Sequence, residues 1–164
     1  MKQTEEWNTA KSRIENQIKE LRHRLHTCPE ISGQERKTKA ALKQFLEENT
    51  NLELHDCGGG FYAVYRSSTA DSAKKGVAFR ADYDALALPE GGAAHLCGHD
   101  GHASALCGAA LLLEQQVKEG RDPGRNVYFL FQPAEETGAG AAPCCELFDK
   151  EEIEEIYGAH NLPG

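Results

Sequence analysis

The sequence predicts an α/β fold, a mixed and largely parallel sheet flanked by helices. Helical stretches alternate along the chain with apolar strand-like runs, the order that lays helices over a sheet. Residues 127–132 (VYFLFQ) form a compact apolar run, the mark of a strand covered on both faces. Side chains with metal-type chemistry follow the strand-like runs, where open α/β sheets bind their ligands.

Taken in order, Trp7, Ile14, Ile18, Leu21 and Leu25 recur at helical spacing and give a first helix one apolar face. Pro29 ends it, because the residue before a proline avoids the helical region. Ser32-Gly33-Gln34-Glu35 has the Ser-x-x-Glu form of a capping box, opening a second helix with Ala41, Leu42, Phe45 and Leu46 buried. Strands are expected at 52–55, 61–66 and 76–81, with Gly58-Gly59-Gly60 turning between the first two as in a hairpin. Residues 84–96 have no clear period, and Pro89, Gly91 and Gly92 mark them as a loop. A long helix starts at Gly101, with Leu106, Ala110, Leu113 and Val117 at helical spacing. After the strand 127–132, a short helix around 139–148 leads to a last strand carrying Ile153, Ile156 and Tyr157. No repeat, low-complexity segment or linker interrupts the chain, so 1–164 reads as a single domain.

At 164 residues, 40% hydrophobic and 27% charged, the chain can build a core, which excludes a disordered tail. It has no run of 18 apolar residues, so no spanning helix is expected, and MKQTEEWNTAKSR lacks the apolar stretch of a secretory signal. Six cysteines in that setting read as reduced thiols of a cytoplasmic protein. The net charge of -8 is uneven: residues 1–99 carry 14 basic and 14 acidic side chains, residues 100–164 carry 4 and 12. Such a surface repels phosphate backbones and anionic lipid, so neither nucleic acid nor a membrane is an expected partner.

Asp82 and Asp84 follow the strand VAFRA; Cys97, His99, Asp100 and His102 enter the long helix; Glu135 and Glu136 follow VYFLFQ; His160 follows the last strand. A thiolate and an imidazole one glycine apart suit a zinc-like or manganese-like ion. The plainer reading is a glycine-rich turn with His95 and His102 solvated. Three histidines and a cysteine within eight residues outweigh it. Of the adjacent glutamates, one can bind metal while the other faces the attacking water, as metal-assisted hydrolysis needs. An acidic helix N-terminus is the alternative for that pair. Asp82, Asp84 and His102 are read as residues that orient the ligands, a turn or capping role for Asp84 being as good an account. Cys28, Cys57, Cys107, Cys144 and Cys145 read as buried small residues or idle thiols, and His23, His26 and His55 as surface residues. A thiol redox protein is disfavoured, since there is no Cys-x-x-Cys.

Five blocks then stand in order: LRHRLHTCPEISGQE (21–35), VAFRADYDAL (77–86), HLCGHDGHASALCGAA (95–110), FQPAEETGAGA (131–141) and YGAHNLPG (157–164). In these the chain resembles the amidohydrolase branch of the aminoacylase and carboxypeptidase-G-like metallopeptidases, which includes hippurate hydrolases, N-acyl-amino-acid amidohydrolases and plant indoleacetyl-amino-acid hydrolases. The resemblance implies the N-terminal part of a zinc-peptidase-like catalytic domain, without the lid domain and the later strands that bring a further metal-binding histidine. It implies Cys97, His99, Glu136 and His160 as ligands of two divalent ions, manganese or zinc, with Cys97 shared and Glu135 the general base. The implied substrate is an N-acyl amino acid or related small amide. It also implies metal binding with poor turnover for these 164 residues alone, and a self-associating surface or a complementing C-terminal chain. The competing expectation is a non-catalytic metal-binding or partner-binding remnant of the same fold.

Overall fold

The computed structural model describes residues 2–71 and 74–161. Its elements are α1 (Lys2–His26), α2 (Arg36–Asn49), β1 (Glu53–Cys57), β2 (Gly60–Tyr65), β3 (Gly76–Asp82), β4 (Leu86–Ala87), β5 (Ala93–Ala94), α3 (His99–Lys118), β6 (Val127–Gln132), α4 (Ala141–Cys144), α5 (Glu146–Lys150) and β7 (Ile153–Gly158). Five strands form one mixed sheet in the order β1-β2-β6-β3-β7. The β1/β2 and β2/β6 pairs are antiparallel, whereas β3 runs parallel to both β6 and β7. The parallel pairs arise from crossovers through α3 and through α4–α5, so the carboxyl ends of β3, β6 and β7 face the same edge.

β6 is central, buried along its whole length, and feeds both cores. Phe129 and Phe131 pack with Leu21, Leu25, Leu42, Leu46 and Leu106 beneath α1, α2 and α3. Tyr128 and Leu130 pack on the other face with Tyr62, Val64, Cys144 and Leu147. The alternation of a strand thus explains why VYFLFQ is apolar throughout. The α1 stripe holds as read at Ile14, Leu21 and Leu25, while Trp7 is only partly buried, its ring 5.5 Å from the Arg121 guanidinium.

Local expectations fail in three places. The 84–96 segment is not featureless: β4 and β5 pair as a small hairpin, its turn held by Gly91 and Gly92 at φ 95 and 88. α3 begins two residues earlier than Gly101, because Gly98 adopts φ 83 and turns the chain directly into the helix. The Ser32–Glu35 capping box does not form, since Glu35 makes no side-chain cap bond. Glu30 caps α2 instead, its carboxylate accepting from both the backbone N–H and the hydroxyl of Thr38. Ser32 and Glu35 turn to buried partners described below. A cap is worth about 1 kcal/mol; a buried polar group left unpaired costs about 1–3 kcal/mol. The tertiary contacts win.

On the far face, Arg66 grips Glu151 with two nitrogens at 2.7 and 2.6 Å, and the Tyr128 hydroxyl donates to the same carboxylate at 2.8 Å. The Arg66 hydrogen bonds hold the Glu151 carboxyl down at about 2 against the opposing effect of burial, with Tyr128 helping. A depressed carboxylate stabilises the fold above its unfolded value near 4.5 and loses that contribution as pH falls toward 2. Glu151→Gln is therefore expected to lose roughly 1 kcal/mol at neutral pH, a surface-discounted figure. Urea midpoints should show its stability falling less steeply than the parent's between pH 4.5 and pH 2; equal slopes would remove the Arg66–Glu151 account.

Candidate metal centre

The carboxyl ends of β3, β6 and β7 and the first turn of α3 bring the expected residues together. Two overlapping groups of donor atoms result, each within 4.8 Å: Cys97, His99 and Glu136, and Asp82, His99, His102 and His160. His99, 1% exposed, belongs to both. Cys97 belongs to the first group only. The last three residues of the YGAHNLPG block lie outside the described residues.

Each imidazole has an orientation fixed by its neighbours. Asp84, fully buried, takes His99 Nδ1 at 3.0 Å on one carboxylate oxygen. Its other oxygen accepts the Ser32 hydroxyl at 2.7 Å and the Glu136 backbone N–H at 3.0 Å. Burial pushes the Asp84 carboxyl up, but the three donors outweigh it and hold it at about 2. Being ionised, it can only accept, so His99 Nδ1 donates and Nε2 presents its lone pair inward. His160 is set the same way: its Nδ1 lies 2.6 Å from the Asn161 carbonyl oxygen, and its Nε2 faces His99 Nε2 at 3.1 Å. Two imidazole lone pairs pointed at each other need a proton or a cation between them. Zinc–nitrogen bonds are about 2.0–2.1 Å, so two imidazoles on one ion can have this separation.

His102 differs. Its Nε2 accepts the Asn161 backbone N–H at 3.0 Å, which leaves Nδ1 to donate to Asp82 at 2.7 Å. Both ring nitrogens are engaged, the arrangement of a residue that supports ligands. The second Asp82 oxygen accepts from Arg80 at 2.7 Å, and Arg80 also donates to Gln132 at 2.9 Å. The carboxyl end of β3 is thereby tied to that of β6.

The two adjacent glutamates do not diverge: both reach toward one imidazole nitrogen. Glu135 is 33% exposed and Glu136 16%, each with an oxygen 3.7 Å from His99 Nε2. Glu136 Oε1 is buried and has no hydrogen-bond partner among the described residues. Hydrogen bonding to Glu136 pushes the Cys97 thiol up to about 11, with burial and the Glu135 and Asp82 charges adding to it. Burial pulls His99 down, yet Asp84 and the surrounding carboxylates leave it raised overall. Thiol, imidazoles and carboxylates in one small volume form a donor set that fits a divalent ion. The orphaned buried oxygen of Glu136 points the same way.

Sequence reasoning missed several neighbours. Ser32 and Glu35 were hidden behind a local motif. His95 is not solvated but 8% exposed, its ring stacked 6.2 Å from His26. His26, read as a surface residue, holds Asp100 at 2.8 Å, and Arg22 reaches the same carboxylate at 3.3 Å. No sequence signal pointed to that link between α1 and α3, whose partners are more than 70 residues apart.

A profile described as peptidase family M20/M25/M40 matches residues 78–164, more than half of the chain and the part that holds every member of the two metal-type groups. The chain belongs to this family. It is 36% identical over 163 residues to the N-acetyl-L-cysteine deacetylase of Bacillus subtilis (strain 168), covering 93% of this chain and 38% of that protein. It superposes on the Bacillus subtilis YXEP protein, described as a dinuclear metal binding peptidase from the M20 family, with TM-score 0.75 and 34% identity, covering 95% of this chain and 44% of that one. A putative aminohydrolase from methicillin-resistant Staphylococcus aureus gives TM-score 0.78 at 26% identity, with 93% and 41% covered. The chain thus spans about two-fifths of the length of these M20 relatives. The expected N-terminal part of a zinc-peptidase-like domain agrees with this match. Among the described residues, no helix is long and apolar enough to cross a membrane.

Proposed function

We propose that this M20 chain forms the metal-binding part of a metal-dependent amidohydrolase that cleaves the amide bond of N-acyl amino acids or related small amides. The observation that carries the reading is His99: Nδ1 bound to a buried carboxylate, Nε2 opposite the Nε2 of His160 and 3.7 Å from an oxygen of each of Glu135 and Glu136. Cys97, His99, Glu136 and His160 would hold two divalent ions, manganese or zinc. Bound ions supply Lewis-acid polarisation of the scissile carbonyl and of the attacking water. Glu135, the more exposed glutamate, takes the proton of that water and returns it to the departing amine nitrogen. Asp84 keeps His99 in the tautomer with Nε2 free, and Asp82 fixes the ring of the supporting His102, whose Nε2 accepts from Asn161. The similarity to an N-acetyl-L-cysteine deacetylase makes that compound the first substrate to try. His160 stays about one-third exposed, so this face is open to the water that amide-cleaving sites exclude. We therefore expect the 164 residues alone to bind metal and turn over amides poorly, and a complementing chain to raise the rate.

Elemental analysis of the purified chain tests this. About two ions per chain are expected, lost in Cys97→Ser. Glu136→Gln, which removes a ligand charge, is expected to weaken metal binding by at least about tenfold, while Glu135→Gln leaves it near the parent's. A parent chain without bound ions, or two glutamine variants that behave alike, would sink the assignment.

A further inference from the structure

We propose that Glu35 and Ser32 are positioning residues of the metal centre, and that the α1–α2 connection braces the paired glutamates and the His99 imidazole from behind. This rests on the metal reading above. Glu35 is 7% exposed, and its carboxylate accepts the backbone N–H of Ala134 at 2.7 Å, across 99 residues. Ala134 immediately precedes Glu135 and Glu136. It has φ 48, the one positive-φ residue other than glycine among the described residues. An alanine in the left-handed region costs roughly 1–2 kcal/mol, so this turn persists only where its surroundings hold it. A charge-assisted bond from a buried carboxylate is such a hold.

Two further contacts close the turn. The Ala134 carbonyl accepts the Gly140 N–H at 3.2 Å and the Thr137 hydroxyl at 3.3 Å. A Cβ on Gly140 would stand 1.6 Å from the Pro133 carbonyl oxygen, so only glycine permits this approach. The turn sets where Glu136 sits, and the Glu136 N–H in turn donates to Asp84, which holds His99. Ser32 donates to the same Asp84 oxygen as Glu136. Ile31 bridges to Ala85, and the Ala85 N–H donates to the Glu30 carbonyl at 2.9 Å, fastening the brace to the segment that carries Asp84. One short connection therefore reaches both walls of the centre: Glu35 on the glutamate side, Ser32 on the imidazole side.

A carboxylate that merely supported the fold would change stability and leave the metal affinity of the folded chain alone. The two are separated by titrating Mn2+ into the ion-chelated chain and following hydrogen exchange at the Ala134 amide without metal. Glu35→Ala is expected to weaken Mn2+ binding by about tenfold or more, in the range seen for groups that orient ligands, and to speed exchange at Ala134. Glu35→Gln keeps an amide oxygen for the Ala134 N–H and should restore both. Ser32→Ala should weaken Mn2+ by a smaller factor without touching Ala134 exchange. If Glu35→Ala does not fold, Glu35→Asp, one methylene shorter and still charged, must show the same weakening. Faster Ala134 exchange with unchanged Mn2+ affinity would overturn the brace and leave the metal centre standing. A parent chain that takes up no Mn2+ while Ala134 stays protected would overturn both.

Discussion

His99→Ala is expected to lose metal binding altogether on the scale of a titration, at least about 100-fold, as is Cys97→Ser. For His99 the reason is its double membership. It is common to both groups of donor atoms, and its ring is the contact between His160 and the Cys97–Glu136 side. Removing the ring also takes a donor from Asp84, a fully buried carboxylate that then relies on Ser32 and the Glu136 N–H. His102→Ala is the informative comparison. Both of its nitrogens are engaged, by Asp82 and by the Asn161 N–H, so its loss should weaken binding by about tenfold and no more. Calorimetric titration with Mn2+ and Zn2+ measures both. A thermal scan gives an independent view, because an ion at 100 times its Kd stabilises a folded chain by about 2.7 kcal/mol. That increment should appear in the parent and vanish in His99→Ala. A His99→Ala chain that still binds an ion, or is still stabilised by one, removes the central residue of the proposed site.

The sequence makes the convergence of this centre legible and hides its supports, for a physical reason. Cys97, His99, Glu135, Glu136 and His160 sit at the ends of strands or at the entry to a helix, positions that periodicity and apolar runs locate well. Once three strands share a direction, their carboxyl ends share an edge, and the donors must meet there. The supports obey no such rule. Ser32 and Glu35 matched a local capping motif, yet their partners lie 52 and 99 residues away. A window of four residues contains no trace of Asp84 or Ala134. His95 and Asp100 share that difficulty: both are buried, and the α1 residues they meet, His26 for His95 and Arg22 and His26 for Asp100, are encoded by no spacing within their own segment. The small hairpin β4–β5 was unreadable for another reason. Its strands are two residues long, too short to show a period, and its glycines signal a turn without saying what it joins.

Phe131→Ala is expected to destabilise the fold by about 3–5 kcal/mol, the usual range for a fully buried phenylalanine. Phe131 is fully buried in the central strand and stacks on Phe61 of β2 with ring centroids 4.6 Å apart and planes 3° from parallel. Gly60 leaves the room for this pairing: a Cβ there would lie 2.3 Å from the Phe131 carbonyl oxygen, so the two strands close up where the rings meet. The cavity left by alanine cannot collapse easily between two paired strands and the overlying helices, which favours the upper part of the range. For a chain of this size, each kcal/mol moves the melting temperature by about 2–4 °C, so a drop of roughly 10 °C or more should be seen. Phe131→Leu, keeping most of the volume, should cost less than about 1.5 kcal/mol. The position also matters for chemistry, because Gln132 follows directly and starts the turn that ends in Glu135 and Glu136. Loosening at Phe131 should therefore reach the metal centre through the backbone, lowering Mn2+ affinity in Phe131→Ala even at temperatures where the chain is folded. A variant as stable as the parent would mean that the centre of the sheet is not packed as described; a destabilised variant with parental affinity would mean that the Pro133–Gly140 turn is held by Glu35 and its own contacts without help from Phe131.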